Sequence, residues 1–288
     1  MYKFTPIRKT LVWGTEDWVI SGVPGSESVV AEGPEAGKKI TELFPGTFPL
    51  LIKFIDAKRD LSIQVHPGNE LAAKRHGCSG KTEMWYVIGA EPGAKLISGL
   101  KQQITPDEYV RLVEEHRITE VLAEHTVAPG DVFYMPSGRI HSIGGGCFLA
   151  EIQQTSDITY RIYDYNRPGL DGKPRQLHTQ EAKEAIDYQV YPEYRTPYVA
   201  KQDAPVELVR CPYFTTTLYE LTQRLEIPGQ AGDDGFLIAI GLSGSGTIKT
   251  EKDETTLREG EAILIPAADG AVTVLPGPDG LRLLTTHC

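Results

Sequence analysis

A ten-residue pattern occurs twice in the chain, and this repeat restricts the possible folds more than any other feature. Val127–Pro136 (VAPGDVFYMP) and Leu257–Pro266 (LREGEAILIP) both place a turn glycine before five residues of mainly apolar strand and a proline. Upstream, Val87–Gly89 has a counterpart in Ala239–Gly241. Short apolar strands between turn signals indicate antiparallel β-structure. We therefore predict a mainly β protein with two antiparallel β-barrels, or jelly rolls, of one design.

The first copy of the pattern is longer than the second. Between its two matched glycines it spans 41 positions, against 19 in the second copy, which leaves 22 extra residues. The excess coincides with a helix start, in which Thr105 is the N-cap, Pro106 the first helical residue and Glu108 the partner in a capping box. We therefore predict a small helical insertion at about residues 105–124 of the first barrel.

A nearly continuous apolar run, Phe48–Asp56, predicts a strand that is buried on both faces. Lys53 interrupts this run. Its side chain is either a snorkelling edge residue or a cation that points into a pocket. Before this strand, residues 37–44 indicate a short helix.

Composition and charge limit the classes of partner. The chain has 288 residues, of which 40% are apolar, enough for a sizeable core. It contains no apolar run long enough to span a bilayer, and its first six residues lack the apolar core of a signal peptide, so we expect a soluble, cytoplasmic protein. The formal net charge of −10 argues against nucleic acid and anionic membranes as partners. A phosphorylated small molecule remains a candidate, because a local basic pocket is enough to bind it.

The four cysteines show no CxxC spacing. This pattern disfavours both a disulfide framework and a thiolate metal cluster, and it agrees with unpaired thiols in a reducing compartment. Nothing in the sequence predicts an oligomeric state.

The stretch Leu61–Pro67 alternates apolar and polar residues, which predicts a half-buried strand. Ser62, Gln64 and His66 then share one face, where neighbouring positions are about 6.6 Å apart, close enough for two side chains to reach one ion. Taken alone, His66 is better explained as a polar residue before the turn that follows. Its interpretation changes when the other motifs of the first copy are considered with it.

Glu83 and His141 complete a candidate metal site in the first copy. Two imidazoles, one carboxylate and the amide oxygen of Gln64 form a ligand set suited to Zn²⁺, Fe²⁺, Mn²⁺ or Co²⁺. In the second copy, the repeat places Gly235 at the position of Glu83 and Ala271 at that of His141. We therefore predict that the second barrel has no metal ligands.

Three ordered motifs, Leu61–Pro67, Gly80–Tyr86 and Ala150–Asp164, closely resemble the signatures of type I mannose-6-phosphate isomerases in their short bacterial form. The likeness extends from about Trp13 to the C-terminus. By resemblance the fold is a double cupin, and the cofactor is one zinc ion per chain. The family's metal ligands fall on Gln64, His66, Glu83 and His141.

The reaction that this resemblance implies is the interconversion of mannose 6-phosphate and fructose 6-phosphate by proton transfer between C2 and C1 through a cis-enediol. Arg161 matches the family's catalytic arginine, and Lys81 and Glu151 match positions associated with proton transfer. Which residue is the base stays open, and Glu151 could instead orient a ligand histidine. Ser62 and Lys53 match residues on the substrate side and are candidates for phosphate contact.

The implied domain organisation has three parts. Residues 1–167 form the metal-binding catalytic cupin domain, residues 168–203 a linker with a short helix capped at Thr179, and residues 204–288 a cupin-like domain without metal ligands. Within the last part, residues 228–235 indicate a polar, glycine-rich loop without a partner motif.

Two other functions are compatible with a cupin metal site. Histidines and a glutamate could also bind the Fe²⁺ of a cupin dioxygenase. A pocket for an apolar substrate, however, has no need of two cations such as Arg161 and Lys81. A non-catalytic sugar-phosphate-binding cupin would tolerate the loss of Arg161 or of a ligand, and this chain retains all of them.

Overall fold

Antiparallel strands dominate the structure, a computed structural model that describes residues 1–44, 46–229 and 235–288. The described chain divides into two units. The motif unit comprises Arg8–Asp17 and Leu51–Thr196, and the C-terminal unit comprises Met1–Ile7, Trp18–Leu50 and Pro197–Cys288. Residues 18–50 thus group with the C-terminal unit, although the sequence division placed them in the first domain; the boundaries at 167 and 204 stay a prediction.

Two sheets form the motif unit, and the first three strands have residues in both units. The strands are, in order, β1 (Ile7–Leu11), β2 (Gly14–Ser21), β3 (Leu50–Ala57), β4 (Ile63–Val65), β5 (Glu83–Ala90), β6 (Lys95–Leu100), β7 (Leu122–Thr126), β8 (Val132–Met135), β9 (His141–Ile143), β10 (Cys147–Gln154) and β11 (Tyr160–Tyr163). One sheet has the order β1-β2-β3-β10-β5-β8, and the other has the order β11-β4-β9-β6-β7.

Apolar side chains from both sheets pack into one cluster. It includes Ile55 of β3 and Trp85 of β5 together with Leu96 of β6 and Ile143 of β9. The opposite face of the second sheet is covered as well, because Ile63 and Val65 of β4 belong to a separate cluster that contains helical residues. The period-two pattern of β4 therefore leaves its polar positions on the face toward the first sheet, as predicted.

Helical segments within residues 106–121 and 179–185 cover that outer face. The α-helices of the described residues are α1 (Ile40–Leu43), α2 (Asn69–His76), α3 (Pro106–Glu114) and α4 (Thr179–Ala185), with 3₁₀ helices at Ile118–Val121 and Ala267–Asp269. The helical insertion and the linker helix are confirmed, whereas α2 was not predicted, and the cap of α4 is His178 rather than Thr179. None of the helices in these residues is long and apolar enough to cross a membrane.

The last seven strands, all in the C-terminal unit, form a single antiparallel sheet. Its strands are β12 (Val206–Arg210), β13 (Thr215–Leu221), β14 (Leu225–Ile227), β15 (Phe236–Lys249), β16 (Glu254–Arg258), β17 (Ala262–Pro266) and β18 (Val272–His287). The order is β12-β13-β18-β15-β16, with β14 also paired to β18 and β17 to β15. The long strands β15 and β18 pair with each other; on its other edge β18 pairs with β13 and β14, and on its other edge β15 pairs with β16 and β17. The described strands form this open sheet and not a closed barrel, which corrects the predicted barrel to a cupin-like sheet. Residues 230–234 of the predicted polar loop lie outside the described residues.

The repeat is confirmed by matching turns. Gly130 has a φ of 95° and donates its N–H to the Val87 carbonyl (2.8 Å), while Gly260 has a φ of 77° and donates to the Gly241 carbonyl (3.1 Å). Both glycines adopt the left-handed conformation that disfavours a Cβ. The structural counterpart of Gly241 is therefore Val87, not Gly89.

This shift of two residues corrects one detail of the sequence comparison. Glu83 pairs with Met135 across β5 and β8, and Leu237 pairs with Ile265 across β15 and β17. Leu237, rather than Gly235, therefore stands where Glu83 is. A shift of two keeps the same face of the strand, and leucine cannot ligate a metal, so the absence of this ligand from the second copy is unchanged.

The N-cap of α3 offers a local test of the insertion. The Thr105 side chain accepts from the Glu108 N–H (3.2 Å), and the Glu108 carboxylate accepts from the Thr105 N–H (2.8 Å). Replacing such a cap with alanine costs about 1 kcal/mol, or roughly fivefold faster local opening. We expect Thr105→Ala to speed hydrogen exchange of the α3 amides by that factor, and Thr105→Ser to leave it nearly unchanged. Equal exchange in wild type and Thr105→Ala would show that the cap does not stabilise the insertion.

Candidate active site

A row of three side chains crosses the second sheet of the motif unit. Arg161 of β11 lies opposite Gln64 of β4, which in turn lies opposite His141 of β9. Residues directly opposite each other in an antiparallel ladder point to the same face. Because Ser62 and His66 alternate with apolar residues around Gln64, they also point to that face, toward the first sheet.

Glu83 reaches the row from the first sheet. It is the first residue of β5 and is fully buried, as are His66 and His141. One ligand atom from each of these three residues lies within 4.8 Å of the others. The Glu83 oxygens are 3.5 Å from His66 Nε2 and 3.4 Å from His141 Nε2. The Gln64 amide nitrogen, Nε2, lies 3.3 Å from His141 Nε2, and a flip of the amide presents its oxygen to the cluster instead.

The backbone fixes the tautomer of both histidines. His66 Nδ1 lies 2.8 Å from the Ile158 carbonyl, and His141 Nδ1 lies 2.8 Å from the Arg139 carbonyl. A carbonyl oxygen only accepts hydrogen bonds, so each Nδ1 carries the proton and each Nε2 presents a lone pair. The two Nε2 atoms face each other at 3.2 Å.

Burial keeps both rings neutral. Desolvation, with contributions from the Lys81 charge, lowers the pKa of His66 well below its usual value and that of His141 to about 4. Desolvation, followed by the nearby Glu151 charge, raises the pKa of Glu83. Apart from the Lys81 ammonium, neither Glu83 oxygen has a hydrogen-bond donor among the described residues. The site is thus a set of buried acceptors without enough donors, which is the arrangement that a cation satisfies.

One protein cation already lies against these acceptors. Lys81 Nζ is 2.9 Å from Glu83 Oε2 and 3.1 Å from His66 Nε2. Lys81 precedes β5 by two residues and is buried, so its ammonium can only point inward. It supplies one positive charge at the edge of the cluster and leaves the His141 side to another donor or ion.

A second charged group lies beside the first. Glu151 of β10 accepts from Trp85 Nε1 (2.9 Å), and its other oxygen is 3.0 Å from Lys53 Nζ and 3.9 Å from Lys81 Nζ. Burial opposes ionisation of Glu151, but Lys53 and Lys81 outweigh it and lower its pKa. Glu16 of β2 adds a carboxylate 3.6 Å from Lys53 Nζ. Burial likewise opposes the charge of Lys53, but Glu151 and Glu16 outweigh it and raise its pKa.

These contacts decide two alternatives that the sequence left open. The Lys53 side chain is buried in this charge cluster and does not snorkel at an edge. Glu151 does not orient His66 or His141 through Nδ1, because each Nδ1 is held by a backbone carbonyl. Its orienting partners are Trp85 and Lys53.

A pocket of about 160 Å³ opens next to the cluster. Six of the site residues predicted from the sequence line it: Lys53, Ser62, Gln64, Lys81, Glu151 and Arg161. The other three, His66, Glu83 and His141, are buried in the adjoining acceptor cluster. The structure therefore brings all nine predicted residues to one place. Arg161 donates from Nη1 to the Gln176 carbonyl at 3.0 Å, and its Nε has no hydrogen-bond partner among the described residues.

Several pocket residues were not predicted from the sequence. Glu16, Asp157 and Arg175 line the pocket, and Trp85 holds Glu151. Trp85 had a usable signal, because it follows Glu83 by two positions and so shares its strand face. Glu16 and Arg175 come from segments without a motif, and nothing in their local sequence indicates the pocket.

Comparison with known proteins gives the same family throughout. The family model for the phosphomannose isomerase type I catalytic domain matches residues 16–87, and that for the mannose-6-phosphate isomerase cupin domain matches residues 206–276. Mannose-6-phosphate isomerase ManA of Bacillus subtilis (strain 168) is 32% identical over 293 residues, covering 91% of this chain and 92% of that protein. The mannose-6-phosphate isomerase of Streptococcus mutans is 34% identical over 264 residues, covering 87% and 82%.

A solved structure agrees with these relatives. The crystal structure of the mannose 6-phosphate isomerase from Bacillus subtilis matches with a TM-score of 0.86 and 30% identity, over 100% of this chain and 99% of that one. Two cupin-like units, with a buried histidine and glutamate cluster in one of them, define an enzyme of the cupin class whose site can hold a metal ion. Because a curated relative is more than 30% identical over nine tenths of the chain, the family can also be assigned. The chain belongs to the type I mannose-6-phosphate isomerase family and is an isomerase.

The acceptor cluster leads to a direct prediction about metal binding. Titration of metal-free protein with Zn²⁺, followed by calorimetry, should show one tight site per chain. His141→Ala should weaken that binding at least ~100-fold, because the remaining groups cannot complete a coordination shell. His287→Ala, which removes a histidine from β18, is the matched control and should bind as wild type does. Undiminished affinity in His141→Ala would exclude the cluster as the metal site.

Proposed function

We propose that this chain interconverts mannose 6-phosphate and fructose 6-phosphate by moving a proton between C2 and C1 through a cis-enediol. The observation that supports this most directly is a buried cluster of metal-type ligands that adjoins a pocket lined by cationic side chains. An aldose–ketose isomerase needs such a combination: positive charge at the C1 and C2 oxygens, a group that exchanges a proton, and cations for a phosphate.

The proposed cofactor is one Zn²⁺ per chain, held by Gln64, His66, Glu83 and His141. Two neutral imidazoles with lone pairs on Nε2, one carboxylate and one amide fit the donor set of a catalytic zinc site. When bound, the ion supplies Lewis acidity at the oxygens on the reacting carbons. The family resemblance favours zinc over the other divalent ions that this donor set accepts.

The charges around the pocket support a phosphorylated substrate. Four cationic side chains line the pocket, and three lining carboxylates together with Glu83 balance them, so the protein alone is close to neutral there. The cations are Lys53, Lys81, Arg161 and Arg175, and the carboxylates are Glu16, Glu83, Glu151 and Asp157. A bound divalent ion would leave an excess of two positive charges. A phosphate monoester carries about −1.5 to −2 at neutral pH, which matches this excess.

Lys81 and Glu151 are the proposed proton-transfer groups. Their charged atoms are 3.9 Å apart beside the acceptor cluster, so a sugar carbon in the pocket can lie within reach of both. Lys53 and Ser62 are the proposed substrate-binding residues on the same wall. Lys53 also holds Glu151 in place, because breaking one partner of a buried ion pair leaves the other charge uncompensated.

Arg161 is proposed to stabilise negative charge on the enediolate. It lies opposite Gln64 in the sheet, its side chain lines the pocket, and its Nε lacks a partner in the described residues. A guanidinium stays charged across the working pH range and offers several donors in one plane, so it can stabilise an oxyanion without titrating.

A coupled assay tests the function itself. Purified, metal-loaded protein should convert mannose 6-phosphate into fructose 6-phosphate and should release none of the sugar as an oxidised product. Oxygen uptake with a cupin-type substrate would instead indicate a dioxygenase. Saturable binding of mannose 6-phosphate without turnover would indicate a non-catalytic sugar-phosphate sensor. Because the net charge is −10, the proposed partner is this small anion rather than nucleic acid or an anionic membrane, and the proposed location is the cytoplasm.

Arg161 separates the isomerase from a sensor. Removing one donor that stabilises a developing oxyanion costs roughly 10²–10³ in rate, or about 3–4 kcal/mol. We expect Arg161→Ala to lower kcat by this factor with a smaller change in KM, and Arg161→Lys to recover part of the loss. Metal content should be unchanged in both variants.

The matched control is Arg111→Ala, which removes an exposed arginine from α3. Its steady-state constants on mannose 6-phosphate should equal those of wild type. An effect of Arg161→Ala confined to KM would assign Arg161 to the phosphate instead, and a wild-type kcat in that variant would remove it from the mechanism.

A further inference from the structure

Residues 176–178, just before α4, hydrogen-bond to Arg161 at the edge of the second sheet of the motif unit. β11 is the end strand of its sheet, so one side of its backbone faces away from β4. On that side His178 Nδ1 accepts from the Arg161 N–H (3.1 Å), and the His178 N–H donates to the Arg161 carbonyl (2.7 Å). The Gln176 carbonyl accepts from Arg161 Nη1 at 3.0 Å. Three hydrogen bonds from one short segment thus hold both the backbone and the guanidinium of Arg161.

The direction of these bonds determines how Arg161 meets Gln64. Both backbone groups of Arg161 point outward to His178, so Arg161 and Gln64 form a non-hydrogen-bonded pair of the β11–β4 ladder. In such a pair the facing side chains lie closest together. A shift of the Arg161 backbone would therefore move its guanidinium relative to the pocket wall that Gln64 forms.

His178 is itself held in place. Its carbonyl accepts from the Ala182 N–H (2.8 Å) in the first turn of α4, and its ring lies 6.3 Å from the ring of Tyr160. An imidazole whose Nδ1 accepts a hydrogen bond must be deprotonated at that nitrogen. This side-chain bond is the one contact of the three that protonation removes.

We propose that His178 is a positioning residue, which aligns the Arg161 guanidinium in the pocket through its Nδ1 bond to the Arg161 backbone. The assignment rests on the proposed role of Arg161 in the isomerase reaction. It adds a pH-sensitive contact that lies outside the metal cluster and outside the pocket lining.

The surroundings of His178 determine the direction of its pH dependence. Burial and the Arg161 charge lower the pKa of His178 below its ordinary value of 6.5, with a smaller lowering by His76 and an opposing effect of Glu181. A depressed pKa means that the neutral, accepting ring is present at neutral and alkaline pH. The contact is lost as pH falls through that pKa, so its contribution to kcat should disappear on the acid side.

Two amide side chains make a matched pair of variants. Asparagine places its carbonyl oxygen near the position of Nδ1 and does not titrate, whereas glutamine places its polar group near the position of Nε2. At pH 8 we expect His178→Asn to keep kcat, and His178→Gln and His178→Ala to lower it about three- to tenfold, the size typical of one hydrogen bond. As pH falls, the ratio of kcat in His178→Asn to kcat in wild type should rise. The same ratio for His178→Gln and His178→Ala should approach one.

A double-mutant cycle checks that His178 acts through Arg161. With no guanidinium left to align, His178→Ala should have no further effect in an Arg161→Ala background. Metal content and circular dichroism establish that each variant is folded and loaded. If His178→Ala does not fold, the comparison of Asn and Gln with wild type decides alone.

Hydrogen exchange gives a readout that does not need turnover. The Arg161 amide should be protected in wild type and His178→Asn and should exchange several-fold faster in His178→Gln. Equal protection and equal kcat in all variants at pH 8, or an Asn variant as impaired as the Gln variant, would overturn the proposal. A wild-type protein without turnover of mannose 6-phosphate would contradict the proposed function and would leave the exchange result to decide on the contact.

Discussion

Two buried imidazole nitrogens face each other across 3.2 Å, each with a lone pair, and a buried carboxylate lies 3.4–3.5 Å from both. Such a group of acceptors repels itself, and its burial makes the repulsion strong because water does not screen it. The protein fixes this arrangement by giving each histidine Nδ1 a backbone carbonyl as its partner. A bound divalent cation would remove this repulsion, and we infer that the cluster binds one.

The buried charges around the cluster are also held by specific partners. Lys81 and Lys53 are buried, which is costly for a lysine unless a carboxylate pairs with it, and Glu83 and Glu151 fill that role. Trp85 holds the second oxygen of Glu151. The network therefore places charged groups at fixed positions beside a pocket, in the preorganised form that stabilises charge in a transition state.

Much of this site could be predicted from the sequence, because strand periodicity and short motifs are local signals. The alternation in Leu61–Pro67 predicted which side chains share a face, since the other face packs against helices. The chain order of the repeat was right, but its register was off by two at Gly241, because matching glycines by letter ignores which carbonyl each turn bonds. Glu16 and His178 could not be predicted, since Glu16 contacts Lys53, and His178 contacts the Arg161 backbone, through packing between segments that carry no motif.

The central claim is that the two histidines and Glu83 hold a metal ion together with an oxygen ligand. X-ray absorption at the metal edge of the protein as purified tests it most directly. The account predicts a first shell of nitrogen and oxygen at about 2.0–2.1 Å, with the outer-shell scattering of two imidazoles and no sulfur. The four cysteines are free and lie outside the cluster. A shell at about 2.3 Å from thiolate sulfur, or scattering from no histidine, would contradict the account.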